Sequence, residues 1–305
     1  MSDVLPAAPL TRFAPSPTGY LHLGHVVNAI WTWGAAQALG GKVLLRMEDH
    51  DRTRCRPEYE AAILADLDWL GFEPDVASTD SFRAGPSKFR QSDSDAHYER
   101  ALAHLREAGL AYVCECSRKD IAAEVPDRFN EEMRYPGTCR DKGLEPKAGR
   151  GWRVMLEGGA ETFHDLRLGG QRQVPAEQCG DLLVRDRLGN WTYQFAVAVD
   201  DLRHGVDLVV RGEDLLESTG RQIRLAQMLG RSAAPRYLHH PLILKPSGEK
   251  LSKASGDSGL RELRESGCQP SDVLGRAAFL AGLQQSDRPL TVDESGVLAA
   301  SSIDT

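Results

Sequence analysis

A strand–helix alternation at the start of the chain most limits its possible folds. Residues 10–14 (LTRFA) form a short apolar run, and Leu23, Val26, Val27 and Ile30 then recur at helical spacing until Gly40 and Gly41 stop the pattern. KVLLRME at 42–48 is a second apolar run, and Ile63, Leu64, Leu67 and Leu70 mark a second helix that ends at Gly71. A β-α-β-α rhythm predicts an α/β fold with a parallel sheet, right-handed crossovers and ligands gathered at the carboxyl ends of the strands. With 305 residues there is room for two domains, or for one large domain carrying an insertion.

The second arrangement fits the rest of the chain. Residues 110–188 lose the rhythm, with two close cysteines, scattered prolines and glycines and the poorly periodic EEMRYPGTCRDKGLEPKAGRG, and they read as an insertion. DLLVRD, WTYQFAVAV and DLVVRG read as strands, a helix is predicted from about Ser218 to Leu229, and LHHPLILK resumes the opening pattern. The predicted organisation is a split α/β domain at 8–109 and 189–255, the insertion at 110–188, and a short helical remnant with a tail at 256–305. Residues 286–305 (SDRPLTVDESGVLAASSIDT) are acidic and weakly periodic, and are expected to be mobile.

Hydrophobic residues make up 41% of the chain and charged residues 27%, and no stretch approaches the roughly 18 apolar residues that span a bilayer. The opening MSDVLPAAPL lacks a basic region followed by an apolar one, so a cytoplasmic protein without a membrane partner is expected, acting as a monomer. The net charge of −7 argues against indiscriminate coating of nucleic acid, while a selective RNA contact stays open. Six cysteines are too few for a disulfide scaffold, and in a reducing compartment clustered thiols more often bind metal.

Two motifs carry chemistry. RFAPSPTGYLHLGH, Arg12 to His25, joins the first strand to the first helix, so backbone N–H groups at the helix start favour phosphate, and Gly19 and Gly24 permit close approach. His22 and His25 fit either of two readings, donors to phosphate oxygens or an ordinary pair at a helix start, and two ligands do not make a metal site. LILKPSGEKLSKASG places Lys245, Lys250 and Lys253 on a Gly/Ser-rich loop suited to closing over a triphosphate. The run Arg52 to Arg56 (RTRCR) fits RNA phosphates or an exposed basic loop.

PSPTGYLHLGH resembles the HIGH signature of class I aminoacyl-tRNA synthetases, and KLSKA resembles their KMSKS loop, with Leu251 in place of methionine and Ala254 in place of the last serine. RFAPSPTG, LLRMEDHDRTR, YQFAVAVDD and LVVRGEDLLESTGRQ are similar to the glutamyl branch, across roughly residues 11–255. The resemblance implies a Rossmann-type catalytic domain that uses ATP, with Mg2+, and L-glutamate. It implies His22, His25, Lys250 and Lys253 as catalytic residues, and Gly24, His22, His25 and Lys253 as the ATP contacts. Arg12, Ser16, Glu48, Tyr193 and Arg211 are implied as the glutamate pocket, Glu48 taking the ammonium and Arg211 suited to bidentate pairing with a carboxylate. Asp200 and Asp201 are expected to bond loop backbone, or else to order water or magnesium.

Only residues 256–305 follow the lysine loop, so the long anticodon-reading region of a full glutamyl enzyme is not expected, and the chain is similar to a short paralogue of that branch. Cys114, Cys116, Tyr135 and Cys139, a C-x-C…Y-x3-C arrangement in YVCECSRKD and RYPGTCRD, resemble that paralogue's zinc site. Three thiolates and a phenolate oxygen would supply four tetrahedral ligands, stabilising an insertion poor in apolar residues. Cys55, Cys179 and Cys268 have no comparable partners and read as structural. The resemblance implies an unusual acceptor, the queuosine base at the wobble position of the tRNA(Asp) anticodon loop. Charging of tRNA(Glu) by a truncated enzyme, and a non-catalytic RNA-binding relic, are the competing expectations.

Overall fold

A computed structural model of the chain describes residues 8–125, 133–243 and 259–303. β1 (Leu10–Phe13) and β2 (Lys42–Leu45) run parallel, paired from Leu10 with Lys42 to Phe13 with Leu45, and α1 (Leu23–Ala38) joins them. Each strand buries three consecutive residues, as a sheet covered on both faces requires. α2 (Pro57–Leu70) starts with a proline and stops at Gly71, whose φ of 83° closes the last turn. α3 (Thr79–Arg83) and α4 (Asp95–Glu107) follow.

Residues 110–188 are more regular than their composition suggests. They contain β3 (Ala111–Cys114), α5 (Arg118–Glu124), β4 (Gly151–Val154), β5 (Glu161–Asp165), β6 (Gly169–Gln173), α6 (Pro175–Gln178) and β7 (Leu182–Arg185). β3, β4 and β7 form an antiparallel sheet of their own. Beyond them lie α7 (Tyr193–Arg203), β8 (Leu208–Gly212), a 3-10 turn at Glu213–Ser218, α8 (Thr219–Met228) and β9 (Arg236–His240). β8 and β9 run parallel in unbroken register, and the β5–β6 hairpin extends the same sheet through Asp165, which pairs with Tyr237. β1 lies beside β8: the Asp207 N–H donates to Leu10 O at 3.1 Å, and the Leu10 N–H donates to Asp207 Oδ1 at 2.6 Å. The opening rhythm therefore does build a parallel α/β framework.

Two expectations are corrected. WTYQFAVAV is not a strand: from Tyr193 it is α7, whose Phe195 to Asp201 are all buried. Its aromatic and β-branched content follows from burial on every side, not from a pleat. Nor is the described part of 286–305, up to Ile303, a loose tail. After α9 (Leu260–Glu265) and α10 (Pro270–Leu280) comes α11 (Val292–Ala300), started by a capping box between Thr291 and Glu294 and packed on α1. The main core gathers α1, α2, β1, β2 and the carboxyl-terminal helices, while a second cluster joins α4 and α7 to β4 and β7. No described helix is long and apolar enough to cross a membrane.

Candidate active site

The turn between β1 and α1 is built by its two histidines. His22 is the N-cap of α1: its Nδ1 accepts the Gly24 N–H at 3.1 Å, and His25 Nδ1 accepts the His22 N–H at 3.1 Å. A nitrogen that accepts carries no hydrogen, so in each ring the proton sits on Nε2, which is a donor. The ring centroids are 4.0 Å apart. Gly24 is required by the ring before it, because a Cβ there would lie 2.9 Å from His22 Cε1.

Both histidines line a cavity of about 310 Å³ at the carboxyl ends of β1, β8 and β9. Arg12, Ser16, Gly24, Glu48, Tyr193 and Arg211 line it too, so the described part of the pocket expected from sequence converges on one space. Lys245, Lys250 and Lys253 lie outside the described residues, as do Leu251 and Ala254. Asn28 and His240 also line the cavity and were missed. The Asn28 amide stands 3.0 Å from His240 Nε2, while His240 Nδ1 stands 3.0 Å from Pro241 O.

The charges are arranged by a buried network. Arg12, 4% exposed, donates from Nε to Asp201 Oδ1 at 3.0 Å and from Nη1 to Val210 O at 3.1 Å. Arg46, which sequence reasoning missed, donates to the same Asp201 oxygen at 2.6 Å and to Glu48 Oε1 at 2.9 Å. One guanidinium thus ties the cavity's carboxylate to the anchor of its arginine. Burial opposes ionisation of Asp201, but Arg12 and Arg46 outweigh it and hold the carboxyl at about 2. Asp200 accepts from Gln91 at 2.8 Å, Tyr98 at 3.0 Å and Arg203 at 2.7 Å. These aspartates bond buried side chains, and the expected loop-backbone role is corrected on that point. Desolvation, with Glu48 close by, pushes the Tyr193 hydroxyl up to about 12, which keeps it a neutral donor.

Arg211 is 3% exposed and lies over the Tyr237 ring at 5.5 Å. Its nitrogens donate to His239 Nε2 at 3.0 Å, Gln222 Oε1 at 2.6 Å and Thr219 Oγ1 at 2.8 Å. The RTRCR run is largely paired within the protein: Arg52 meets Asp95 at 2.7 Å and Arg54 meets Asp51 at 2.6 Å.

A second cluster lies at the end of β3. The sulfurs of Cys114, Cys116 and Cys139 all fall within 4.8 Å of one another. The Tyr135 hydroxyl stands 3.4 Å from Cys114 Sγ and 3.6 Å from Cys116 Sγ, and accepts the Cys139 N–H at 3.0 Å. Arg153 donates to Cys114 Sγ at 3.4 Å and sits 3.7 Å over the Tyr135 ring, a cation suited to balancing thiolate charge. Gly180, at φ 66°, lets the Tyr135 backbone press in, since a Cβ there would lie 2.0 Å from Tyr135 O. Three soft donors and one oxygen at this spacing suit a tetrahedral metal ion. Cys179 is buried, and Cys55 and Cys268 are half-buried.

Residues 10–300 match the family described as tRNA synthetases class I (E and Q), catalytic domain. Glutamyl-Q tRNA(Asp) synthetase of Burkholderia mallei is 44% identical over 280 residues, covering 89% of this chain and 88% of the relative. The protein of that name from Nitratidesulfovibrio vulgaris is 42% identical over 282 residues, covering 89% and 86%. Among solved structures, a glutamate tRNA ligase from Elizabethkingia meningosepticum in complex with its amino acid aligns with a TM-score of 0.75 at 28% identity. That alignment covers 95% of this chain and 64% of the ligase, so this chain spans less than two thirds of its length. A methionyl-tRNA synthetase from Mycobacterium tuberculosis shares the fold, with a TM-score of 0.53 at 11% identity over 92% of this chain and 65% of that one.

Proposed function

The chain belongs to the class I tRNA synthetases of the glutamate and glutamine type, and from that membership we propose that it activates L-glutamate with ATP and transfers glutamate to the queuosine base of tRNA(Asp). The acceptor follows the curated relatives, which match over nearly their whole length. The carrying observation is the cavity itself, lined by two buried arginines, one buried carboxylate and two histidines that donate from Nε2.

In the first step a glutamate α-carboxylate oxygen attacks the α-phosphorus of ATP. The bond to the bridging oxygen breaks, and glutamyl-adenylate and pyrophosphate result. Arg12, Ser16 and Arg211 hold the carboxylates, Glu48 takes the ammonium and Tyr193 donates from its hydroxyl. His22 and His25 donate to phosphate oxygens as charge moves onto the leaving group, and Lys250 and Lys253 are assigned to the same task. Mg2+ bound with ATP would supply neutralisation of phosphate charge. In the second step a hydroxyl of the cyclopentenediol ring attacks the activated carbonyl and AMP leaves. Cys114, Cys116 and Cys139 with Tyr135 would hold a structural zinc, cross-linking β3 to the following loop. Residues 8–109 and 189–255 are assigned to the catalytic body, with β5 and β6 completing its sheet, and 256–305 to a short helical remnant and tail.

The test is transfer of labelled glutamate, with ATP and magnesium, to queuosine-containing tRNA(Asp), to the same tRNA lacking queuosine, and to tRNA(Glu). Label on the first alone is expected. Two of the solved neighbours are glutamate tRNA ligases, and label on tRNA(Glu) would move this chain to their activity.

A further inference from the structure

Asp165 closes β5 and His239 lies in β9, and both side chains are fully buried. Asp165 Oδ1 accepts the N–H groups of Arg167 at 3.0 Å and Leu168 at 2.9 Å. Its Oδ2 accepts the His239 N–H at 3.0 Å and faces His239 Nδ1 at 2.6 Å. Three backbone donors stabilise the ionised carboxyl, so the hydrogen between Oδ2 and Nδ1 belongs to the ring. His239 Nε2 then presents a lone pair, and the Arg211 Nε–H donates into it at 3.0 Å. Among the described residues, all three hydrogen-bond acceptors of Arg211 are neutral, and no carboxylate lies within ion-pair distance. Three of its five N–H donors are used, which leaves two in a residue that lines the cavity.

We propose that His239, oriented by Asp165, is the positioning residue of Arg211, a neutral imidazole set between carboxylate and guanidinium that fixes the guanidinium plane while leaving its charge for a substrate carboxylate. A carboxylate bonded directly to Arg211 would use the fork that an incoming carboxylate needs. Set one imidazole away, Asp165 still favours the buried cation through space, at a distance that weakens the attraction. Burial, helped by repulsion from Arg211, outweighs the pull of the Asp165 bond toward the charged ring and favours the neutral imidazole, which fits this role. The inference rests on Arg211 as a glutamate-binding residue.

Three variants test it by glutamate-dependent ATP–pyrophosphate exchange, with folding checked by thermal melting. His239→Phe keeps a planar ring but removes the acceptor. Asp165→Asn places an amide N–H where Oδ2 accepted, which drives the hydrogen onto Nε2 against the Arg211 N–H. Both should raise KM for glutamate roughly ten- to a hundred-fold, as expected when a buried hydrogen bond to a charged group is lost, with KM for ATP within about twofold. His239→Gln restores an acceptor oxygen and should recover most of the loss, and it keeps the test open if His239→Phe does not fold. Unchanged glutamate KM in a folded Asp165→Asn or His239→Phe enzyme overturns the proposal, as do equal rises for ATP and glutamate. A His239→Gln variant no better than His239→Phe does the same. Absence of exchange in the wild-type protein would instead count against the proposed function.

Discussion

Arg12 Nε and Asp201 Oδ1 meet at 3.0 Å although 189 positions separate them in the chain, and this bond joins the first strand to α7 beneath the cavity. Asp201 is also the anion for Arg46 at 2.6 Å. Asp201→Ala would leave two buried guanidiniums without their shared partner, for which a loss of about 3–5 kcal/mol is expected. Urea unfolding measures it. A loss below about 1 kcal/mol would mean that water reaches the network and replaces the carboxylate.

Stability should fall as the solution is acidified below neutrality. Burial holds His204 and His240 at about 4, whereas an unfolded histidine titrates near 6.5. Between those values the unfolded chain takes up protons that the native protein refuses, so stability declines as pH falls through the window and is insensitive above it. Each histidine contributes up to about 3 kcal/mol of that decline by pH 4. Asp66 acts in the opposite sense, because burial raises its carboxyl to about 6 and the native state gains protons as pH falls from there. The two histidines outweigh it. The urea midpoint should hold from pH 8 to 7 and then drop toward pH 4.5, with a shallower drop in His204→Gln. An equal slope in that variant would assign the decline to other groups.

Gly24→Ala separates the two duties of His22. The added Cβ would lie 2.9 Å from the ring and must displace it. Loss of the N-cap bond should cost about 1 kcal/mol, while a misdirected Nε2 should lower kcat with little change in KM for glutamate. If melting shifts but kcat does not, His22 acts as a cap alone.

For the cysteine cluster, elemental analysis of protein purified without chelator should give about one zinc per chain, and Cys116→Ser should lower it. With Cys116 and Cys139 sulfurs only 3.4 Å apart, a disulfide is the competing product on oxidation. A fully reduced protein that binds no zinc would leave these thiols as packing groups.

What sequence revealed, and what it hid, follows from how local each signal is. The first strand pair and the histidine turn are set by neighbours in sequence: His22 caps a helix whose N–H groups lie two and three residues on. Arg211, Glu48 and Arg12 were legible as pocket residues only through a resemblance, because their convergence depends on strand order. Arg46 did leave a trace, since a charge inside the apolar KVLLRME must find a buried partner. Nothing nearby named that partner, which lies on α7, and α7 was misread because burial on every side erases helical periodicity. Asp165 and His239, 74 positions apart, left no pattern at all.

The misread tail makes a last prediction. α11 lies so close to α1 that a Cβ on Gly34 would stand 2.7 Å from Gly296 O and 2.8 Å from the Ala299 Cβ. On helix propensity alone Gly34→Ala should stabilise α1 by about 1 kcal/mol. The clash is with backbone, which cannot rotate away, and overpacking of this kind costs about 1–3 kcal/mol, so the variant should be less stable on balance. Ala299→Gly in the Gly34→Ala background removes one of the two contacts and should recover part of the loss. A Gly34→Ala protein more stable than the parent would show that α11 can withdraw from α1 at little cost, as the acidic, weakly periodic sequence of 286–305 suggests when read alone.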